Sequence, residues 1–429
     1  MRYHSYLNSA KIIIDSYRGD IPFAAFLKKY FNANKKYGGK DRKQIATLCY
    51  NFYRLGKALP QLPVEEKIIV AVFICEEKSN DFLQFHKPEW NEIITKPLAE
   101  KIDIAGFTTE DVFPWAEELS TGVDVELFRY SFFKQPDLFL RIRPGNKEAV
   151  VKKLQDAGIE FKMPHDDCLS LPNSTKVDTI LEIDKEVVVQ DLNSQKVLNF
   201  LKDPASNIQY PASSIQHPVS SIQHPASSIQ HPVSSIQHPV SSIQHPASSI
   251  QHPVSIWDCC AASGGKSILA YDILEGQVEL TVSDIRESIL SNLKERFETA
   301  GIKNYKSFIA DLTETDSRLL TPDSQLILCD APCTGSGTWS RTPEQLYYLK
   351  RKSIDVFVAM QQQIVSNVIP HLQKEGIFIY ITCSVFKNEN EDMVNFITKK
   401  FHLQLLQMEL LKGYDKKADS MFTAVFKKI

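Results

Sequence analysis

Leu326-Ile327-Leu328-Cys329-Asp330-Ala331-Pro332-Cys333-Thr334-Gly335-Ser336-Gly337 is the stretch on which the reading of this chain turns. An apolar run that ends in an acid, a proline and a thiol predicts a buried strand handing a carboxylate and a sulfur to a glycine-rich loop. A second apolar run, Gly376 to Thr382, ends the same way, in Cys383 and Ser384, with the polar string Lys387-Asn388-Glu389-Asn390-Glu391 behind it. Two strands that each end in a cysteine predict one shared pocket.

Upstream, Ile256-Trp257 leads into Asp258-Cys259-Cys260-Ala261-Ala262-Ser263-Gly264-Gly265-Lys266-Ser267 and then an apolar helix, Ile268 to Leu274. Gly-Gly-Lys-Ser looks like the end of a phosphate-binding P-loop, but Cys260 stands where that motif needs a glycine. Small residues between a strand and a helix instead let the backbone approach a ligand at the first turn of a doubly wound α/β sheet. Asp284 ends the next predicted strand, Val278 to Ser283, and is placed to accept hydrogen bonds from ribose hydroxyls. Asp311 follows the strand Ser307 to Ala310, and Asp330 follows the fourth. Acids at successive strand ends fit a nucleoside cofactor; the Gly-x-Gly-x-x-Gly spacing of a nicotinamide site is absent from the first loop.

The chain has 429 residues, 43% of them hydrophobic and 24% charged, enough for two or three domains. It shows neither a membrane-length apolar run nor a signal-peptide core, so a cytoplasmic protein without membrane contact is expected. Its eight cysteines form no Cys-x-x-Cys framework, which predicts reduced thiols, some catalytic, and no metal. A monomer is expected.

Net charge is −3, yet residues 1–60 carry twelve Lys and Arg against three Asp. That asymmetry points to a polyanion, or else to a solvated helical surface. Phe23, Phe26, Leu27, Tyr30 and Phe31 form one apolar helical stripe after Pro22, and Ile45, Leu48, Cys49 and Phe52 another. Helices around Ile68 to Cys75 and Pro97 to Ile104 complete a helical bundle over residues 1–125. Lys35, Lys36, Lys40, Arg42 and Lys43 cluster between two of these helices, where Tyr37, Tyr50 and Tyr53 would stack on bases or serve as core. Residues 130–200 then read as a small α+β unit: strand Leu138 to Ile142, helix Lys147 to Asp156, and strands Ile159 to Phe161 and Cys168 to Leu171. Arg141 and Arg143 share a strand face and are candidates for phosphate contact or for plain solvation.

A seven-residue tandem repeat occupies 206–254, with isoleucine at 208, 215, 222, 229, 236, 243 and 250 and proline three residues after each. A proline in every heptad costs a helix about 3 kcal/mol per copy, which excludes a coiled coil. His217, His224, His231, His238, His245 and His252 lack Cys or carboxylate partners, so metal is not expected there. The repeat reads as a disordered surface insertion, and deletion of residues 213–247 should leave activity intact.

Asp-x-Cys-Ala-Ala-x-Gly-Gly-Lys from Asp258, Asp-Ala-Pro-Cys-Thr-Gly-Ser-Gly from Asp330 and Thr-Cys-Ser-Val-Phe-x-x-Glu-Asn-Glu from Thr382 resemble the signatures of the RNA cytosine-5 methyltransferases, the family of bacterial ribosomal RNA and eukaryotic nucleolar enzymes. Val188-Val189-Gln190-Asp191 with Ser194, Arg341 with Pro343, and Asp419-Ser420-Met421-Phe422-Thr423-Ala424 match it too. The resemblance implies a Rossmann-like methyltransferase domain over 255–429, preceded by the bundle, which is similar to a NusB-type RNA-binding unit, and by the α+β RNA-binding subdomain. It implies S-adenosyl-L-methionine held by Cys260, Ala261, Ala262, Ser263, Gly264, Gly265, Lys266, Asp284, Asp311 and Asp330, with Ser263 replacing the family's usual proline. It makes Cys383 the nucleophile, Cys333 the thiol that assists release, and Asp330 a hydrogen-bond partner of the target base. The implied substrate is RNA, ribosomal before transfer RNA. The rival readings are a non-catalytic RNA-binding factor that kept the fold and a DNA cytosine methyltransferase, which shares the Pro-Cys dipeptide but not the Thr-Cys-Ser strand end.

Overall fold

The computed structural model describes residues 2–202, 253–314 and 323–429. The tandem repeat expected at 206–254 therefore lies outside the described residues, apart from Pro253 and Val254.

The N-terminal part is helical. Helices Arg2–Ser16, Phe23–Ala33, Gly39–Arg54, Val64–Cys75 and Leu98–Ala105 pack around Phe23, Leu27, Phe31, Ile45, Leu48, Cys49 and Phe52, the two stripes read from sequence. Tyr53 is fully buried in that core, which settles the choice between base stacking and core in favour of core: its ring packs on Phe23 and Tyr347. The same core takes in Trp339, Leu346, Val385 and Phe386 from the C-terminal domain.

A four-stranded antiparallel sheet follows, built from β1 (Leu138–Ile142), β2 (Lys162–His165), β3 (Cys168–Leu171) and β4 (Val187–Val189) in the order β2-β3-β1-β4. The strand expected at Ile159 to Phe161 is displaced to β2. Ile159 and Phe161 are apolar because they pack on the unit's core, whereas β2 is an exposed edge that carries no apolar signal. Arg141 and Arg143 are not phosphate contacts. Arg141 is buried and donates to Gln190 and Asp272, and Arg143 donates to Asp272 and to the carbonyls of Asp184 and Ala300. Because Asp272 belongs to the helix Gly265–Ile273 of the next domain, the two arginines bolt the small sheet to it.

The C-terminal domain holds β5 (Val254–Asp258), β6 (Val278–Asp284), β7 (Tyr305–Ile309), β8 (Ser324–Asp330), β9 (Leu372–Thr382), β10 (Gln404–Leu411) and β11 (Met421–Lys427). Their order is β10-β11-β9-β8-β5-β6-β7. The five strands from β9 to β7 are parallel and β10 and β11 close the edge antiparallel, so this is a doubly wound α/β fold. Strand order reverses between β5 and β8, and ligands of such sheets bind outside the carboxyl ends at that switch point. Among the described residues no helix is long and apolar enough to cross a membrane.

Candidate active site

At the carboxyl ends of β5, β6 and β8 lies a cavity of about 510 Å³, lined by Cys260, Ala262, Asp284, Asp311, Asp330, Cys333 and Cys383 among others. The remaining residues of the first loop, Ala261, Ser263, Gly264, Gly265 and Lys266, do not line it. Gly264 serves packing instead: its φ is +82°, and a Cβ there would stand 2.6 Å from Phe297. The Ser263 hydroxyl and carbonyl accept hydrogen bonds from Arg296, which tie the loop to the helix Glu287–Ala300 that follows β6.

Asp284 ends β6, where one carboxylate oxygen accepts the Ala262 N–H at 3.0 Å and the other accepts the Arg286 N–H and guanidinium. Burial works to raise its carboxyl, but the Arg286 bonds prevail and hold it below the ordinary range. Asp311 is exposed at the far lip, with one oxygen taken by Thr313. Asp258, at the end of β5, is buried and accepts the Ser267 hydroxyl at 2.6 Å, while its other oxygen has no partner. Burial pushes its carboxyl up to about 7.

Lys266 turns to the reacting end, donating to Asp330 at 2.6 Å. Burial opposes its charge, yet Asp330 and then Cys383 more than offset this and its pKa is raised, so it is an ammonium ion. The two thiols meet as the strand ends foretold: Cys333 Sγ lies 3.3 Å from Cys383 Sγ. The hydrogen bond to Cys383, and then burial, push the Cys333 thiol well above its ordinary value.

Sequence reasoning quoted Glu389 but gave it no role. It is fully buried, and its carboxylate accepts from Thr334 N–H (2.9 Å), Thr334 Oγ1 (2.6 Å), Ser384 Oγ (2.5 Å) and Gln361 Nε2 (3.1 Å). Thr334 and Ser384 each follow one of the two cysteines, so Glu389 clamps both loops to one point. Asn390 continues the clamp, taking the Thr382 hydroxyl and donating to Ser384 O and to Ser120 Oγ. The available signal was an acid and an amide immediately behind an apolar strand end. A second unforeseen cluster joins three motifs, with Arg341 bridging Asp191 (2.7 Å) and Asp419 (2.8 Å).

Residues 249–425 match the family model described as 16S rRNA methyltransferase RsmB/F. The chain is similar to ribosomal RNA small subunit methyltransferase F of Psychromonas ingrahamii, at 28% identity over 36% of this chain and 33% of that protein. It is also similar to ribosomal RNA small subunit methyltransferase B of Yersinia enterocolitica, at 32% identity over 32% of each. The chain thus spans about a third of the length of the curated relatives it matches. In overall fold it resembles the solved structure of PH0851, with a TM-score of 0.67, 15% identity, and coverage of 100% of this chain and 98% of that one.

Proposed function

We propose that this chain, whose residues 249–425 match the family model described as 16S rRNA methyltransferase RsmB/F, transfers a methyl group from S-adenosyl-L-methionine to carbon 5 of a cytosine in ribosomal RNA. The observation that carries this reading is the pair of sulfurs 3.3 Å apart in a cavity that also holds the strand-end acids.

The cavity suits the cofactor. Asp284 offers acceptor oxygens to ribose hydroxyls, Ile285, Leu312 and Ile364 give apolar walls for a base, and Asp311 stands at the lip. When bound, the cofactor supplies a methyl group activated on a sulfonium centre. The guanidinium of Arg286 is largely exposed, so water can replace Asp284 as its partner when ribose hydroxyls take the carboxylate.

Carbon 5 of cytosine is too weak a nucleophile to accept a methyl group unaided, so a thiolate must first add at carbon 6. We assign that attack to Cys383. Contact with Cys383 and burial raise the Cys333 thiol, and the Lys266 ammonium lies within electrostatic reach of the Cys383 sulfur. Asp330, held by Lys266 at the cavity wall, accepts a hydrogen bond from the base's ring nitrogen as that nitrogen takes a proton from solvent, so that addition leaves no net negative charge on the ring. After transfer, a base removes the carbon 5 proton, the C6–S bond breaks, and the electron pair returns to Cys383; Cys333 assists this release. Ribosomal RNA is favoured by the relatives' substrate and by the lysine-rich surface of the bundle.

Labelled S-adenosyl-L-methionine with ribosomal RNA, transfer RNA or DNA tests the substrate: transfer to DNA alone, or to nothing, overturns the proposal, and transfer RNA alone moves the substrate. Cys383→Ala should abolish methylation and leave no covalent RNA adduct. Cys333→Ala should accumulate an adduct that survives denaturing electrophoresis. The opposite pattern reverses the two roles.

A further inference from the structure

Cys259 and Cys260 are adjacent in sequence and look unpartnered there, but strand register supplies a third thiol. β5 and β8 run parallel with Asp258 opposite Leu328, and Cys259 N–H continues the ladder to Leu328 O at 2.9 Å. The next residues, Cys259 and Cys329, therefore face each other on one side of the sheet, both fully buried. The chain turns out of the strand immediately afterwards and brings Cys260 over them. All three Sγ atoms lie within 4.8 Å of one another. None of the three takes part in the chemistry proposed for Cys333 and Cys383.

We propose that Cys259, Cys260 and Cys329 form a binding site for a thiophilic d10 cation, Zn(II) or Cu(I), set into the wall of the cofactor cavity. A metal–sulfur bond of about 2.3 Å in a three-sulfur set places the sulfurs about 4 Å apart, so sulfurs that already lie within 4.8 Å of one another need close by less than about 1 Å to hold an ion. Three sulfurs without imidazole or carboxylate select soft cations over magnesium or calcium. Binding releases the three thiol protons to solvent. Cys259 and Cys260 also line the cavity, which leaves the ion's open coordination position facing the space assigned to the cofactor. Metal and cofactor therefore compete, and by linkage each weakens the other's binding to the same extent. This coupling rests on the cofactor reading of the cavity; the metal site itself does not.

The test uses the full-length protein and Cd(II) as the probe, read by thiolate-to-metal charge-transfer absorption, to which the repeat's histidines do not contribute. One equivalent should produce the band in wild type and in Cys333→Ser/Cys383→Ser. Cys329→Ala and Cys259→Ser should each lose it, with thermal melts confirming that at least one of these variants is folded. Displacement by Zn(II) or by Cu(I) then identifies the preferred ion. A band that survives in Cys329→Ala but vanishes in Cys333→Ser/Cys383→Ser moves the ion to the catalytic pair and overturns the proposal, as does the absence of any band with all three metals. Cofactor affinity, measured calorimetrically, should fall about tenfold or more with one equivalent of metal in wild type and be unchanged by it in Cys329→Ala. An unchanged affinity in metal-loaded wild type removes the coupling. Cofactor binding to the metal-free protein is measured first, so that its failure counts against the proposed function and not against the metal site.

Discussion

Replacing Glu389 separates the clamp from the chemistry it supports. In Glu389→Ala the N–H of Thr334 and the amide of Gln361 lose their shared acceptor in a buried setting. The hydroxyls of Thr334 and Ser384 lose theirs too, but they already lie near Ser336 Oγ and each other and can partly re-pair. Each orphaned buried donor costs about 1–3 kcal/mol. Part of this is offset, because burial raises the Glu389 carboxyl despite its four donors, and that desolvation cost disappears with the side chain. The net loss expected is about 3–5 kcal/mol, in the range for breaking a buried charged network. Glu389→Gln is the informative partner. Its carbonyl can keep the Thr334 and Gln361 bonds while its NH2 donates to the two hydroxyls, so about 1 kcal/mol should go. Activity should follow position: a displacement of about 1 Å at either sulfur costs about 100-fold in rate. Urea unfolding and single-turnover methylation measure the two effects, and cofactor affinity should hardly move, because Asp284 and Ala262 sit on other loops. An Ala variant within about 1 kcal/mol of wild type and equally fast would refute the clamp.

Three further outcomes are expected. Asp272→Ala strands the buried guanidiniums of Arg141 and Arg143 and should cost about 3–5 kcal/mol by denaturant unfolding, with Arg143→Ala costing less because it removes a cation and leaves Asp272 paired to Arg141. Asp258 carries a carboxyl raised to about 7, so the native state holds a proton that the unfolded chain releases above its ordinary value near about 4. Wild-type stability should fall as pH rises through that interval, and Asp258→Asn should flatten the fall; an unchanged pH profile sinks the assignment. Lys35, Lys36, Lys40 and Lys43 are exposed, while Arg42 is tied to Tyr37 O and lies over Phe31, so replacing the four lysines by Ala should flatten the salt dependence of RNA affinity by a log–log slope of roughly 3 and leave cofactor binding intact.

What the sequence disclosed was whatever depends on local pattern. Apolar runs ending in Asp284, Asp330 and Cys383 read as strands delivering polar groups to one edge, and the sheet brings those residues to one cavity. The small residues of the first loop were legible as a tight turn but not as to their purpose, since the steric demand at Gly264 comes from Phe297, thirty-three residues away. Partner choice was not legible. Arg141 and Arg143 have the spacing of a solvent-facing pair, and only the docking of Asp272 from another domain turns them inward. Tyr53 has the same chemistry whether it stacks on a base or fills a core; the Phe23 and Tyr347 rings decide it. Cys329 gave no sign of meeting Cys259, because parallel register joins strands that are far apart in sequence.

The arrangement also constrains how the bundle, if it binds RNA as proposed, can serve a distant sulfur. Val385 and Phe386 follow Cys383 by two and three residues, and both are buried in the bundle's core, where Phe386 stacks on Phe113 and meets Trp339 edge-on. Ser120 N–H donates to Val385 O at 2.8 Å, and its hydroxyl lies against Glu391 and Asn390. A bundle joined to the catalytic domain by a free linker would raise local RNA concentration without orienting the target base. Here the segment that carries the proposed nucleophile is itself part of the bundle's hydrophobic core, so separating the two units exposes Phe113, Trp339 and Phe386 together. Burying an aromatic side chain of this size is worth about 1.5–3 kcal/mol, which makes independent motion of the bundle costly. On the proposed reading, phosphates bound at the lysine-rich surface would therefore be held in fixed register with Cys383. Phe386→Ala should loosen that register and slow adduct formation even with RNA saturating, whereas loss of the surface lysines should weaken RNA binding and leave the saturated rate unchanged. If both variants change only RNA affinity, the bundle acts as a tether and not as a positioning element.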